Sequence, residues 1–262
     1  MTVILLLLFT GFLTGITTLV FGFGGGFVVV PFVYHVVSSS GDHADQAMHI
    51  AVATSAAVMI LNASYASVTQ WRSGNILRET IDPLIYFIAV GAVIGAFAAT
   101  QLTDSVIRGL FILYMVVTIA DCLLRKGFLT KPARTALSPA TVAVGGPIIG
   151  VIAAMLGVGG SVMTVPLLRR QGYEMKHCVS AANPLSIPVA VVATVLYSYL
   201  GAGKVSGPEY FGYVNLLILG VLLVAGITGI VFAKRVLPGI DDRLHARIYI
   251  VLLLGVLIAI CL

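Results

Sequence analysis

The stretch GFGGGFVVVP at residues 22–31 decides how this chain is interpreted, and it recurs without a gap as GVGGSVMTVP at residues 157–166. The segments on both sides of each copy are apolar and hold no charge. A soluble nucleotide-binding loop would instead lead into an amphipathic helix with a polar face. Glycine leaves the backbone free and its amides uncovered, and uncovered amides in an apolar surrounding need a partner. A ligand is one such partner.

The composition indicates a membrane protein. Of the 262 residues 59% are hydrophobic and only 10% are charged, whereas a soluble domain has roughly 25% charged residues. Mean hydropathy is +1.08. Apolar runs of about 20 residues, the length a helix needs to cross a bilayer, recur along the whole chain. We therefore predict a polytopic helical membrane protein without a soluble domain. The first run lacks a basic leading region and a cleavage site, so we interpret it as a retained span.

The sequence gives no support for an enzyme. It contains no Ser/His/Asp set, no metal-ligand cluster and no phosphate-binding Walker loop, so we predict no catalytic residues, no metal and no cofactor. The three cysteines, Cys122, Cys178 and Cys261, have neither disulfide nor metal spacing and are interpreted as small apolar residues. The net charge of +5 does not indicate nucleic acid, because the basic residues follow the rule for membrane topology.

The apolar segments of the two halves correspond. The first half has hairpin legs at 3–21 and 27–37 and spans at 47–70, 83–102 and 106–124. The second half has legs at 139–156 and 162–168, spans at 178–200 and 211–233, and a last span ending at Leu262. An internal alignment places Thr54-Ser55 on Asn183-Pro184. Gly91 and Gly95 have the spacing that permits close contact between helices.

Positive charge predicts the topology, because Lys and Arg favour the cytoplasmic side. The loops at 125–138, 169–177 and 234–247 hold eleven of the fifteen Lys and Arg residues, so we predict that all three are cytoplasmic. Two of them flank the second glycine-rich stretch, which must therefore enter the membrane and return as a hairpin. The N-terminus and the acidic loop at 38–46, with Asp42 and Asp45, are predicted to lie outside.

Each half then crosses the membrane an odd number of times, so the second copy is inverted. The predicted fold is an all-α membrane protein of two inverted repeats, each a Gly-rich broken-helix hairpin plus three transmembrane helices. Repeat 1 is residues 1–124, the cytoplasmic linker is 125–138, and repeat 2 is 139–262, all within a single transmembrane domain. The hairpin tips would meet inside the membrane, an arrangement typical of secondary transporters.

The hairpin tips are the first candidate binding site. A broken helix presents bare amides at the start of its second leg, where the helix dipole favours an anion. Gly24, Gly25 and Gly26 precede one such leg, and Gly159, Gly160 and Ser161 precede the other. We predict a two-sided anion site made mainly of backbone. Tight helix packing is the alternative explanation for the glycines.

Polar residues in two spans are the second candidate. Thr54, Ser55 and Asn62 lie in the span at 47–70, and Asn183 lies in the span at 178–200. We predict that their hydroxyl and amide groups complete the substrate site, with interhelical hydrogen bonding as the alternative. Asn183 is followed by two prolines, which predict a kink or an unwound segment there.

Few charged or titratable residues lie within the spans. Asp121 is the one acid well inside a span, and Arg125 four residues later predicts a simple ion pair, with a coupling role as the alternative. Three histidines near span ends, His35, His49 and His177, are expected to be solvated.

The two copies of G-x-G-G-[GS]-x4-P, with Ala53-Thr54-Ser55 and Gly74-Asn75-Ile76, resemble the paired signature of the TauE/SafE family, also called the toluene-sulfonate uptake permease superfamily. The resemblance implies a carrier of sulfur-containing anions such as sulfite, sulfonates or sulfoacetate. It also implies an exporter in a prokaryotic cell (inner) membrane. The chain departs from the pattern at Ser161, which replaces the third glycine, and at Asn183-Pro184.

The sequence as a whole predicts a secondary transporter that exports a small sulfur-containing anion by alternating access, coupled to protons or to the membrane potential. Its partners would be that anionic substrate and the lipid bilayer, with no nucleic acid, and a homodimer is left open. An uptake carrier or channel for another anion is one alternative. A non-transporting scaffold subunit of a membrane assembly is the other.

Overall fold

A computed structural model describes residues 2–41, 43–124, 128–129, 133–237 and 239–262. In this part of the chain, seven helices are long and apolar enough to cross a membrane, and two shorter apolar helical segments accompany them. The protein is therefore a multi-pass, predominantly α-helical membrane protein, as predicted. Asp42, Arg125, Lys126 and Lys131, which belong to the predicted acidic and basic loops, lie outside the described residues.

The helices follow the predicted order. The first half comprises α1 (Thr2–Phe21), α2 (Gly26–Ser40), α3 (Ala47–Arg72), α4 (Leu84–Ala99) and α5 (Asp104–Leu124), with short 3-10 turns at Ala44–Gln46 and Arg78–Thr80. The second half comprises a π-helical turn (Thr141–Gly145), α6 (Gly146–Leu156), α7 (Ser161–Arg170), α8 (Met175–Leu200), α9 (Leu216–Val236) and α10 (Asp242–Cys261). By order and length, α1 to α5 correspond to α6 to α10.

Two predicted features of the second half are wrong. The span predicted to begin at residue 211 begins at Leu216, because strands β1 (Tyr210–Phe211) and β2 (Val214–Asn215) form a small antiparallel ribbon first. Gly212 makes the turn with a φ of +60°. In addition, α8 remains helical through both of its prolines, so the unwound segment, one of the two predicted alternatives there, is wrong. A kink at these prolines stays a prediction. Each proline removes a single backbone hydrogen bond, and the close packing of α8 keeps the helix together.

Helices α3 and α8 form the centre of the molecule. Every residue of α3 from 47 to 59 is buried, and this segment is rich in alanine with single serine and threonine residues. Small side chains allow α3 to contact α2, α8 and α9 closely, while α8 contacts α3, α4 and α7. The outer helices keep one face exposed, as expected for surfaces that contact lipid.

Two helix pairs pack through glycine. A β-carbon at Gly11 of α1 would lie 2.8 Å from the β-carbon of Ala225 in α9, and Gly15, one turn further, lies against Gly226. Residue numbers rise together, so α1 and α9 are parallel. In the same way Gly91 and Gly95 of α4 contact Pro147 and Val151 along α6, which confirms the predicted close contact and makes this pair parallel too. If each helix is replaced by its counterpart in the other half, the α1–α9 pair becomes the α6–α4 pair.

Hydrogen bonds between helices fix the remaining directions. Gln70 Nε2 near the end of α3 donates to Leu19 O near the end of α1 at 3.0 Å, so these two helices run the same way. His49 Nε2 in the first turn of α3 lies 3.2 Å from Ala99 O in the last turn of α4, so α4 runs the opposite way. Since α6 is parallel to α4, helix α6 runs opposite to its counterpart α1.

Two ion pairs near the helix ends were not predicted from the sequence. Asp121 accepts a hydrogen bond from Arg170 Nη1 at 2.9 Å, while its predicted partner Arg125 is not among the described residues. Arg169, which we expected in a solvated loop, is fully buried and makes a two-pronged pair with Asp242 at 2.6 and 3.0 Å. Such a buried guanidinium needs several acceptors, and the Phe128 and Tyr173 carbonyl oxygens provide two more.

Candidate functional site

The two glycine-rich tips share one backbone conformation. The positive φ angles are +74° at Gly22, +64° at Gly24 and +99° at Gly25, and +69° at Gly157, +73° at Gly159 and +68° at Gly160. Side chains other than glycine are strained at such angles. Gly25 and Gly160 precede the first residue of α2 and α7, and no side chain caps either helix start. Ser161 replaces a glycine without backbone strain, because this position is the first helical residue and has no positive φ.

The tips meet at the middle of α3 and α8. Ser55 Oγ of α3 lies 3.1 Å from Gly26 O and 2.8 Å from Gly157 O, so one hydroxyl bridges the two tips. Ser186 Oγ of α8 hydrogen bonds to Gly159 O. Both serine hydroxyls therefore lie beside backbone carbonyl oxygens of the tips, and that of Ser186 also has Ala182 O of its own helix at 2.8 Å.

Met59 occupies the space between the tips. A β-carbon at Gly24 would lie 2.9 Å from Met59 Sδ, and the same sulfur adjoins Gly159 of the other tip. The Met59 side chain is fully buried. The missing side chains of the two glycines are thus what makes room for this thioether.

Asn62 is the most informative polar residue near the first tip. Its side chain is fully buried, and a β-carbon at Gly25 would lie 3.1 Å from Asn62 Nδ2. Neither Nδ2 nor Oδ1 has a hydrogen-bond partner among the described residues, and the same holds for the buried Oγ1 of Thr14 beside Gly25. A buried polar atom without a partner costs about 1–3 kcal/mol. The arrangement is thus suited to a ligand that bonds to the Asn62 amide next to the first turn of α2.

The second tip has apolar surroundings. A β-carbon at Gly160 would lie 3.1 Å from Ile149 Cγ2 and 3.6 Å from Ala153 Cβ, both in α6. The register that matches Gly25 with Gly160 matches Thr14 with Ile149, so the hydroxyl of one half is replaced by a methyl group in the other. The polar side chains available to bind a ligand are therefore concentrated at the first tip.

Thr54 and Asn183 lie away from the space between the tips. Thr54 Oγ1 accepts a hydrogen bond from the backbone N of Asn215 at 3.0 Å, at the start of α9. Asn183 Nδ2 donates to Thr18 O at 3.1 Å and to Gln70 Oε1 at 3.2 Å, and so connects α8 with α1 and α3. Its Oδ1 has no partner among the described residues.

The internal alignment of α3 with α8 needs a correction. Gly22 lies against Val179 and Gly157 lies against Val52, which makes the two valines equivalent. In that register Asn183 corresponds to Ala56 and not to Thr54. The alignment predicted from sequence was shifted because the connectors that follow the two helices fit a different spacing.

A polar cavity lies beside Asn183. It has a volume of about 320 Å³, and its lining includes Gln70, Asn75, Lys176, Lys234 and His245. Gln70 connects the cavity to Asn183 by the hydrogen bond given above. The two lysines make the surface of this cavity positively charged, and positive charge attracts anions. The cavity is bordered by the loops that carry most of the basic residues.

Sequence reasoning missed a buried, hydrogen-bonded pair of side chains at the other end of α3. His49, expected to be solvated, is only 6% exposed. Its Nδ1 is paired with Oδ1 of Asp104, and its ring stacks on Tyr213 at 4.9 Å between ring centroids. The ribbon that carries Tyr213 covers this end of the helix and excludes solvent. No spacing rule connects residues 49 and 104, so the sequence held no signal for the pair.

Comparison with known proteins agrees with the fold. The family model described as "Sulfite exporter TauE/SafE" matches residues 7–260. A "Probable membrane transporter protein" of Haemophilus influenzae is 25% identical over 225 residues, which cover 84% of each chain. A protein of the same description from Methanocaldococcus jannaschii is 24% identical over 258 residues, which cover 96% of this chain and 92% of the relative. No solved structure matches the chain significantly. The matched region, the paired glycine tips and the membrane-spanning helices together place this chain in the TauE/SafE family of membrane transporters.

Proposed function

We propose that this protein is a secondary transporter that exports small sulfur-containing anions, namely sulfite, a sulfonate or sulfoacetate, by alternating access across a prokaryotic inner membrane. The observation that carries the proposal is the buried amide of Asn62 beside Gly25, at the start of α2, which has no hydrogen-bond partner among the described residues. The name of the family, a sulfite exporter family, supports the substrate class and the direction.

The chemistry of the first tip suits an oxyanion. The first turn of a helix presents backbone amides that lack an intrahelical partner, and the dipole there favours negative charge. Amides of Gly24, Gly25 and Gly26 would bind the oxygens of a sulfite or sulfonate group, and Asn62 Nδ2 and the Thr14 hydroxyl would add donors. A group with three oxygens can use all of these donors at once.

The second tip and the central serine complete the proposal. Gly159, Gly160 and Ser161 would close the site from the other half, with fewer polar contacts than the first tip. Ser55 would hold the tips together through the carbonyl oxygens of Gly26 and Gly157. Thr54 and Asn183 would act through helix packing, with Asn183 bonded to Gln70 in the wall of the polar cavity.

Alternating access is proposed from the symmetry of the packing. We propose that the halves are inverted repeats, supported by the opposite directions of α1 and α6 and by the exchange of the α1–α9 and α4–α6 pairs. Asn62 lies near the midpoint of α3, which corresponds to the middle of the membrane. Rocking one half against the other would separate the tips around Met59, whose unbranched side chain adapts to changing shapes. An inside-negative potential favours anion exit by roughly 2.3 kcal/mol per charge and 100 mV.

The test is a flux assay in proteoliposomes with radiolabelled sulfite, sulfoacetate and methanesulfonate, and with chloride and phosphate as comparison anions. We expect exchange of at least one sulfur anion in wild type and its loss in Asn62→Ala. Ser67→Ala is the matched control, because this buried α3 hydroxyl bonds only within its own helix, to Ala63 O at 2.6 Å. Exchange of chloride or phosphate alone would indicate a carrier for another anion. No flux with any anion would overturn the proposal.

A further inference from the structure

The buried pair of His49 and Asp104 has a geometry that depends on a proton. His49 Nδ1 is hydrogen bonded to Asp104 Oδ1, while Nε2 lies 3.2 Å from the carbonyl oxygen of Ala99. A carboxylate and a carbonyl both only accept hydrogen bonds. With Asp104 ionised, both ring nitrogens donate, and an imidazole carries two N–H groups only when it is protonated. The observed packing therefore fits the charged form of His49.

Loss of that proton would break a contact between helices. A neutral imidazole has one N–H, so one of its nitrogens would face an oxygen lone pair at either Asp104 in α5 or Ala99 in α4. The second carboxylate oxygen of Asp104 accepts from the backbone N of Met48 at 2.5 Å, which fastens the first turn of α3 to α5. Protonation of His49 thus controls how the N-terminal end of α3 is attached to its neighbours.

The groups that face His49 are mainly aromatic. Tyr213 stacks on the imidazole, and burial, followed by the carboxylates of Asp104 and Asp45, raises the pKa of this phenol above its ordinary value. The Tyr197 ring lies 6.4 Å from that of His49, and its hydroxyl donates to Met155 O. Two cations lie near this cluster: the Lys204 ammonium is 6.0 Å from the Tyr213 ring, and Arg108, one turn after Asp104 in α5, lines the same cavity as Asp104. The Arg108 guanidinium bonds to Ile260 O at 2.9 Å and lies over the Tyr34 ring. Among the described residues Asp104 is paired with His49 and with neither cation, so the pair can change its charge by one unit.

A cavity gives protons access to the pair. It has a volume of about 480 Å³ and is lined by Asp104 together with Asp45, Arg108, Thr103 and Ser105. Asp104 lies between this cavity and His49, and its side chain is 14% exposed. The cavity is at the end of α3 opposite to the lysine-rich cavity, on the side predicted to be outside.

We infer that His49 and Asp104 form the proton-binding site that couples proton entry to anion exit. This inference rests on the proposed function. A proton reaches His49 through Asp104 from the outer cavity and forms one N–H bond. That bond breaks when the rocking of the two halves exposes the pair to the other side of the membrane, where the proton passes to water in exchange for one anion that moves outward. Helix α3 connects the two events, because it carries His49 at its start and Ser55, Met59 and Asn62 at its centre.

The experiment uses wild-type proteoliposomes loaded with radiolabelled sulfoacetate or, in parallel, sulfite, with the membrane potential clamped at zero. With one-to-one exchange, a pH difference of one unit, acid outside, should sustain an anion ratio of about tenfold. His49→Gln should abolish this response while keeping exchange of labelled for unlabelled anion at equal pH, because glutamine preserves one donor but binds no proton. Asp104→Asn is expected to behave in the same way.

His35→Gln is the matched control, because His35 lies at the same end of the molecule and its Nε2 bonds a carbonyl oxygen, that of Ala259, at 2.5 Å. It should keep the full response to the pH gradient. A purely structural role of His49 predicts that exchange and pH response decline together. Wild type that exchanges anions without responding to pH, or His49→Gln with an intact response, would overturn the inference alone. Absence of any exchange in wild type would overturn the proposed function and this inference with it.

Discussion

Asn62 Nδ2 lies 3.1 Å from the place that a β-carbon of Gly25 would occupy. The amide side chain therefore uses space that exists only because residue 25 is glycine, and it stands next to the bare amides of the first turn of α2. The counterpart of this space at Gly160 contains Ile149 and Ala153. This difference between the tips makes the candidate site testable with small substitutions.

Gly25→Ala should abolish anion exchange and the thermal stabilisation that sulfite gives to the purified protein by mass action. The methyl group would displace the Asn62 amide from the helix start. It would also strain the backbone at a φ of +99°, at a cost on the order of 1 kcal/mol.

Gly203→Ala is the control for that strain, because Gly203 has a φ of +76° and nothing lies within 4 Å of its β-carbon position. It should lower the melting temperature slightly and keep the response to sulfite. Gly160→Ala should reduce this response less than Gly25→Ala does, since the surroundings of Gly160 are apolar. If Gly25→Ala protein still melts at a higher temperature with sulfite, the anion does not bind at this tip.

Gly226→Ala should weaken anion affinity by tenfold or more without preventing folding. A β-carbon there would lie 2.6 Å from Asn62 Nδ2 and 2.9 Å from Oδ1, so the amide must rotate away from Gly25. A lost hydrogen bond to a charged ligand is worth about 1.5–3 kcal/mol, and 1.4 kcal/mol corresponds to a factor of ten. The concentration dependence of exchange measures the effect. Gly220→Ala on the same helix has open space around its β-carbon position and should behave as wild type.

Ser55→Ala should destabilise the folded protein more than it weakens anion affinity. The substitution leaves the Gly26 and Gly157 carbonyl oxygens without the hydroxyl that bridges them at 3.1 and 2.8 Å. An unsatisfied buried acceptor costs about 1–3 kcal/mol. The melting temperature without ligand should fall clearly. An unchanged melting temperature with lost affinity would instead assign Ser55 to the substrate.

Asp242→Asn should destabilise the protein by on the order of 3 kcal/mol, because it leaves the buried Arg169 guanidinium without its counter-charge. Denaturant unfolding in detergent micelles would measure the loss. Glu174→Gln is the comparison: its pair with Lys176 is 3.0 Å long, but both side chains are largely exposed, at 41% and 58%. Exposed pairs contribute at most about 1 kcal/mol. If the two substitutions lower the free energy of unfolding equally, burial does not determine how much these ion pairs stabilise the protein.

Membrane orientation can be tested with the native cysteines. Cys261 is exposed, whereas Cys122 and Cys178 are buried. Because the predicted topology places the C-terminus outside, a membrane-impermeant maleimide should label Cys261 in intact cells, and Cys261→Ser should remove the label. Labelling that requires permeabilised cells would place this terminus in the cytoplasm and reverse the predicted orientation.

The sequence predicted the helices well because long apolar runs have few other interpretations in a membrane. The paired tips could also be predicted, since the positive φ angles require glycine at the same three positions of each copy. The π-helical start of the second half, the ribbon that carries Tyr213 and the continuity of α8 through Pro184 and Pro188 depend on tertiary packing, which a single sequence does not encode locally.

The candidate site was predictable only in part. Gly25 and Asn62 were identified from residue type, but their proximity depends on how α2 folds back onto α3. The apolar character of the second tip was predictable from the sequence, because the gap-free register of the repeat matches Thr14 with Ile149. The pairing of His49 with Asp104 had none, since it joins two helix starts that are adjacent only in the folded chain.

The unequal tips have a consequence for the kinetics of a carrier built from duplicated halves. Two identical tips would give outward-facing and inward-facing states related by a two-fold axis in the membrane plane, with the same affinity for substrate on both sides. With Thr14 and Asn62 in one half and Ile149 in the other, the two states would hold the anion with different sets of donors. Half-saturation should therefore differ between the two faces of the membrane. A carrier with this difference in half-saturation would release its anion readily on one face of the membrane and would rebind it poorly there.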